Sequence, residues 1–206
     1  MSAFSAAAAN NPPPLFLLGS SMGGAVALAV ADELGTGGGG GGRKGEEKNP
    51  EVRGVVLLAP MLALSVSNPL RYALRALSLV VPSVPLIPSS ASSSEDQYRD
   101  PQKREECDSD PLTVKGNLRP SSAYACVDLT ERIQSRFGEI DVSFLCMVAR
   151  DDRVVNNDGS RLFLERSVSK DKELREFDAL HGLLCEPEPL LTSIHGELLS
   201  WLKARS

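Results

Sequence analysis

The chain alternates between apolar runs and amphipathic stretches. Leu15–Leu18, Gly54–Leu58 and Val142–Val148 are continuous apolar segments, and Lys172–Phe177 ("KELREF") is a weaker fourth. Continuous apolar runs of this length read as strands buried on both faces. Helical spacing occupies the intervals. It covers Ala25–Leu34 after the first run, Leu129–Phe137 before the third, Gly159–Ser167 after the third, and Leu190–Ala204 at the end. Strands alternating with helices predict an α/β fold: a mostly parallel sheet of about four strands with flanking helices.

Two stretches break the rhythm. Residues 35–50, "GTGGGGGGRKGEEKNP", are Gly-rich and then charged, and read as a flexible loop. The poly-Gly tract lacks the Gly-Lys-Ser/Thr ending of a phosphate loop, and no strand runs into it, so nucleotide binding is not indicated. Residues 61–125 hold an apolar patch, "LRYALRALSLVVPSVPLIP", then a Ser-rich loop, then "YRDPQKREECDSDPL". An insertion of this length between strands reads as a cap or lid on a single domain spanning 1–206.

Composition narrows the function. The 206 residues are 42% hydrophobic and 24% charged, which fits a globular domain with a sizeable core. A net charge of −5 gives no overall field for nucleic acid. No apolar stretch approaches the roughly 20 residues that span a bilayer. "MSAFSAAAANNPPP" lacks a basic segment followed by an apolar one, so it does not read as a signal peptide. Cys107, Cys126, Cys146 and Cys185 are widely spaced without a CxxC pair, which points to reduced thiols in an intracellular compartment (cytoplasmic, with a membrane-associated or plastid location as alternatives) and to neither a metal site nor a disulfide framework.

The chemistry concentrates at "LFLLGSSMGGAVALAVADEL". Gly19-Ser20-Ser21-Met22-Gly23 fits G-x-S-x-G between a strand and a helix. There a strained turn lifts the middle serine into the open, small residues two positions either side let strand and helix approach, and the next backbone N–H (Met22) faces a developing oxyanion. Ser20 would need glycines at 18 and 22, which are Leu and Met. A serine needs a base and the base an orienting acid. His195 lies within the last amphipathic helix and reads as a surface histidine. His181, in "FDALHGLL", follows the last strand, where a sheet delivers side chains to its carboxyl edge. The acid should follow an earlier strand; "FLCMVARDDRVV" offers Asp151 and Asp152, and periodicity does not choose between them. The other aspartate could pair with Arg150 or Arg153, or cap the helix starting near Gly159.

These blocks resemble the monoacylglycerol lipase-like, or lysophospholipase-like, serine hydrolases of the α/β-hydrolase superfamily. Within it they are most similar to plant-type members, caffeoylshikimate-esterase-like proteins included. "GSSMGGAVAL" resembles the family elbow, "YRDPQKREECDSDPL" a family cap segment, and "SFLCMVARDDRVV…SKDKELREFDALHGLLCEPE" its strand–acid–strand–histidine end. The resemblance implies an α/β-hydrolase fold with Ser21 as nucleophile, His181 as base and Asp152 as acid, without cofactor or metal. It implies a substrate with one long acyl chain: a monoacylglycerol, a lysophospholipid or a related phenolic ester. Leu70–Ile87 of the cap would cover the acyl chain and could touch a membrane peripherally.

Departures carry further expectations. Ser20 stands where the family has His or Glu, and "MVARDD" replaces a His-Gly before the acid. In the family, four strands and a His-Gly loop precede the elbow, and that loop gives the second oxyanion N–H. Here the elbow begins at residue 19, which implies an N-terminally truncated fold, a first strand left as a bare apolar edge, and a loss on the order of 10²–10³ in turnover for the absent donor. The alternative reading is a catalytically impaired homologue that acts by binding. An acyltransferase or haloperoxidase-like use of the same triad is a third.

Overall fold

A computed structural model describes residues 14–34, 52–64 and 66–206. The Gly-rich stretch 35–50 lies outside the described residues.

Four strands, β1 (Leu15–Ser20), β2 (Val52–Leu58), β3 (Phe144–Ala149) and β4 (Lys172–Phe177), form one sheet in the order β1-β2-β3-β4, every neighbouring pair parallel. The register aligns Ser20 with Leu58 and Ala149 with Phe177. All four strands therefore end on one edge, and the loops leaving that edge carry the polar side chains considered below.

Strand alternation divides the core in two. Val55 and Leu57 of β2, with Phe144, Cys146 and Val148 of β3, face α1 (Met22–Leu34), the end of α5 (Pro120–Arg136) and α6 (Asp158–Arg166). Phe163 of α6 stacks on Phe144 at 4.4 Å between ring centroids. Val56, Leu58, Leu145, Met147 and Ala149 face the opposite side, where α7 (Leu190–Lys203) supplies Ile194, Leu198 and Trp201. Both central strands are thus covered on both faces, which is why Gly54–Leu58 and Phe144–Ala149 are uninterrupted apolar runs.

The two outer strands differ. β4 carries Lys172, Glu173, Arg175 and Glu176, charges that blunt an edge. β1 pairs only with β2 among the described residues and leaves Leu18 50% exposed.

Between β2 and β3 lie α2 (Asn68–Val80), the single-turn α3 (Ser94–Gln97) and α4 (Pro101–Ser109). α4 begins with the expected grammar: Asp100 accepts the Gln102 N–H at 2.8 Å, with Pro101 at the first helical position. α2 packs Leu74 against Ala123 and Val127 of α5, with Ile87 and Val66 at the margin. That inward face leaves Leu79 and Val80 78% exposed on the other. α5 starts at Pro120, inside the stretch expected to be an insertion and well before the expected Leu129, so one helix packs against both α2 and the sheet.

Candidate active site

The turn between β1 and α1 is built around Ser21. Its φ of 54° lies in the left-handed region that L-residues avoid. Three backbone bonds hold it there. Ser21 N–H donates to Leu58 O at 2.9 Å, and Ser21 O accepts from Gly24 N–H at 3.0 Å and Met61 N–H at 2.9 Å. Met22 is the first residue of α1, so its N–H belongs to the unpaired donors at a helix start, where the dipole favours negative charge.

The glycines do not divide the work as expected from G-x-S-x-G. A Cβ on Gly19 would meet Gly23 O at 2.1 Å. A Cβ on Gly23 meets nothing described within 4 Å, whereas one on Gly24 would sit 2.7 Å from the Pro60 ring. Gly19 and Gly24, not Gly19 and Gly23, allow the close approach, because residue 24 is the one that α1 turns toward the loop after β2.

The candidate acid is placed by the turn after β3. Asp152 N–H donates to Ala149 O at 3.3 Å, and its side chain is fully buried. Oδ1 accepts the N–H groups of Val154 at 2.8 Å and Val155 at 2.9 Å, and Oδ2 lies 2.8 Å from His181 Nδ1. A carboxylate with its lone pairs occupied in this way holds the imidazole in one orientation. With Nδ1 as the donor, Nε2 is left as the acceptor. Asp151, one residue away, is exposed and faces the guanidinium of Arg99 at 3.7 Å; it pairs with neither Arg150 nor Arg153 and caps no helix. The structure thus brings Asp152, not Asp151, to His181. His195 lies exposed on α7 and does not line the cavity described below.

Ser21 and His181 line one cavity of about 280 Å³, together with Ser20, Leu58, Val154, Leu183, Leu184 and Cys185. Burial pushes the Cys185 thiol up from its ordinary value. The segment between β2 and β3 contributes Ala91, Gln97 and Tyr98 to the cavity wall. Leu70–Ile87, expected to cover the acyl chain, does not line it: α2 spends its apolar inner face on α5.

Sequence reasoning missed the segment 97–99. Gln97 O accepts the Gly182 N–H at 2.8 Å, and the Tyr98 ring lies so close to Gly182 that a Cβ there would sit 2.7 Å away. The block "YRDPQKREECDSDPL" was singled out by resemblance, but nothing in its spacing signals a contact with a loop eighty residues on.

The family profile described as serine aminopeptidase, S33, matches residues 2–188. Human monoglyceride lipase is 27% identical over 164 residues, covering 78% of this chain and 53% of that protein. Monoacylglycerol lipase of Mycolicibacterium smegmatis is 28% identical over 119 residues, covering 57% of this chain and 42% of that protein. The chain therefore spans about half the length of the curated relatives it matches. Among solved structures, the monoacylglycerol lipase of Paleococcus ferrophilus superposes with a TM-score of 0.76 at 23% identity, over 98% of this chain and 73% of that one. A soluble variant of the Saccharomyces cerevisiae monoglyceride lipase, in complex with a substrate analogue, gives 0.75 at 20%, over 98% and 65%. From the profile match over most of its length and the shared fold, the chain belongs to the serine aminopeptidase S33 family of α/β-hydrolases and resembles its monoacylglycerol lipases.

Proposed function

We propose that the chain is a serine ester hydrolase acting on monoacylglycerol-type esters, with Ser21 as nucleophile, His181 as general base and acid, Asp152 as the orienting acid and Met22 N–H as an oxyanion donor. The observation that carries this reading is the 2.8 Å contact between His181 Nδ1 and the buried Asp152 carboxylate, with His181 and Ser21 on one cavity.

Ser21 Oγ attacks the ester carbonyl as its proton passes to His181 Nε2. Asp152 stabilises the imidazolium that forms, and the tetrahedral oxyanion accepts from Met22 N–H. Collapse expels the alcohol, which takes the proton from Nε2. Water then repeats the sequence on the acyl-enzyme: His181 removes its proton, and the fatty acid leaves as Ser21 regains one.

The lipid class rests on the relatives' names and on the apolar walls Leu58, Val154, Leu183 and Leu184. Residues 61–125 serve as a cap on one domain. The outward face of α2 and the turn after it, with Leu79, Val80, Val84 and Leu86 exposed, suits peripheral contact with a lipid surface. No helix among the described residues is long and apolar enough to cross a membrane. The four unpaired cysteines fit a reducing compartment such as the cytoplasm.

A fluorophosphonate probe tests the site. Labelling of the wild type that disappears in Ser21→Ala is the expected result. A wild type that is folded by circular dichroism yet does not label overturns it in favour of a non-catalytic binding protein. Parallel assays with a monoacylglycerol, a lysophosphatidylcholine and a phenolic acyl ester then assign the head group.

A further inference from the structure

One cap side chain faces three carboxylates from three different places around the dyad. The Arg99 guanidinium lies 3.7 Å from Asp151, 3.5 Å from Asp178 and 3.4 Å from Glu186. The first two carboxylates are 56% and 70% exposed, so water and salt screen them and they contribute little. Glu186 is different. Its side chain is 1% exposed, and its two oxygens have separate partners. Oε1 accepts the Leu180 N–H at 2.6 Å, one residue before His181. Oε2 makes no hydrogen bond among the described residues and has only the Arg99 Nε beside it, within ion-pair reach but off the hydrogen-bonding line. A buried carboxylate without a cation beside it is strongly unfavourable.

Arg99 is itself held in place. The Arg104 guanidinium donates to Tyr98 O at 2.6 Å, and Asp100 caps the helix that follows. The cap backbone is thereby anchored where Gln97 O takes the Gly182 N–H, one residue after His181. The histidine is bracketed on both sides: Leu180 through Glu186 and Arg99, Gly182 through Gln97. Neither Arg99 nor Glu186 lines the cavity.

We infer that Arg99 is a positioning residue for the proposed reaction: by neutralising buried Glu186 it fixes the backbone before His181, so the cap sets the aim of the general base. This inference rests on the proposed esterase reading. Removing the Arg99 charge leaves Glu186 buried and unpaired. The loop then relaxes, and a displacement of about 1 Å at the imidazole costs on the order of 10²-fold in rate.

The test uses the full chain and four variants: Arg99→Ala, Arg99→Lys, Glu186→Gln and the double variant Arg99→Ala/Glu186→Gln. Arg99→Ala is expected to lower kcat for a short acyl ester about 10- to 100-fold with KM nearly unchanged. Arg99→Lys, which keeps the charge, is expected to recover most of the loss. The double variant is expected to exceed Arg99→Ala, because Gln at 186 still accepts from Leu180 N–H and no longer needs a cation. A loss in Arg99→Ala that falls on KM, or a double variant no faster than Arg99→Ala, overturns the inference. The downfield proton resonance of the His181–Asp152 hydrogen bond gives a second, activity-free reading: present in wild type and Arg99→Lys, broadened in Arg99→Ala. If the wild type neither labels with fluorophosphonate nor turns over, the esterase reading fails. The resonance then decides the clamp alone, and an unaltered signal in Arg99→Ala refutes it.

Discussion

Replacing Gly19 by alanine tests the elbow without requiring activity. The added Cβ would lie 2.1 Å from Gly23 O, 2.4 Å from Gly23 C and 2.7 Å from Gly24 N. All three are backbone atoms at the start of α1, so no side-chain rotation relieves the overlap. Ordinary contact requires the helix start to retreat by roughly 1.3 Å, against the bonds that Ser21 O accepts from Gly24 N–H and Met61 N–H. Overpacking of this sort costs about 3 kcal/mol. For a chain of this size that lowers Tm by about 6–12 °C. Gly23→Ala is the internal control. Nothing described lies within 4 Å of its Cβ, and alanine in a helix is favoured over glycine by about 0.5–1 kcal/mol, so its Tm should rise slightly. Gly24→Ala should fall between, pressing on Pro60 at 2.7 Å. Thermal unfolding followed by circular dichroism at 222 nm reads all three. A Gly19→Ala variant that melts with the wild type, or a Gly23→Ala variant that melts below Gly24→Ala, refutes the assignment of the close approach to residues 19 and 24.

Further outcomes can be measured on the same protein. Ser21→Gly should be more stable than Ser21→Ala by about 1 kcal/mol, because only glycine takes φ 54° without a Cβ penalty; an equal or lower Tm contradicts the strain. Burial pushes the Cys146 thiol up to about 12, so iodoacetamide at pH 8 should leave it unmodified in the native state and label it in urea, read by mass spectrometry; native labelling refutes the packing of β3. The hydrogen bond from Arg205 holds the Asp171 carboxyl below its ordinary value. Its contribution is therefore present above the unfolded-state pKa and lost as pH falls through the lower folded value. With a carboxylate that is 42% exposed, screening keeps this below about 1 kcal/mol, and Asp171→Asn should flatten the acid limb of a stability–pH curve only slightly. Leu79→Asp with Val80→Asp should weaken co-flotation with phosphatidylcholine vesicles while leaving fluorophosphonate labelling intact; unchanged flotation removes α2 from the lipid contact.

Much of this fold was written in local pattern. The apolar runs of β2 and β3 announced strands buried on both sides, and the limits of β4 followed from "KELREF" between turn residues. α1 starts three residues earlier than its apolar periodicity, because the elbow turns directly into a helix through two glycines that carry no hydropathy signal. α5 was read short for a related reason. "PSSAYAC" is small and polar and resembles a loop, though Pro120 at the first helical position is a start signal that the pattern of Leu and Ile obscured. At the site, Ser21 and His181 could be singled out from a motif and a position after a strand. Asp151 and Asp152 could not be separated by spacing, since the difference between them is which one the turn after β3 buries. Gln97, Arg99 and Glu186 were illegible as a group. Their relation exists only across the cap and the final loop, and no periodicity encodes a contact between segments so distant in the chain.

The order of the strands has a consequence for how the proposed site is held together. Among the described residues, the strand that presents Ser21 joins the sheet through β2 alone, while Asp152 and His181 hang from β3 and β4 on the far side. An outer β–α unit can come loose at a smaller free-energy cost than the whole domain. Such an excursion leaves the acid–imidazole pair intact and simply carries the hydroxyl away from it. Because Ala25, Leu28 and Ala31 of α1 belong to the main core, the same excursion would open one face of the sheet. A covalent ligand that bridges the serine to the opposite wall would act as a staple between the two sides of the sheet and raise the melting temperature.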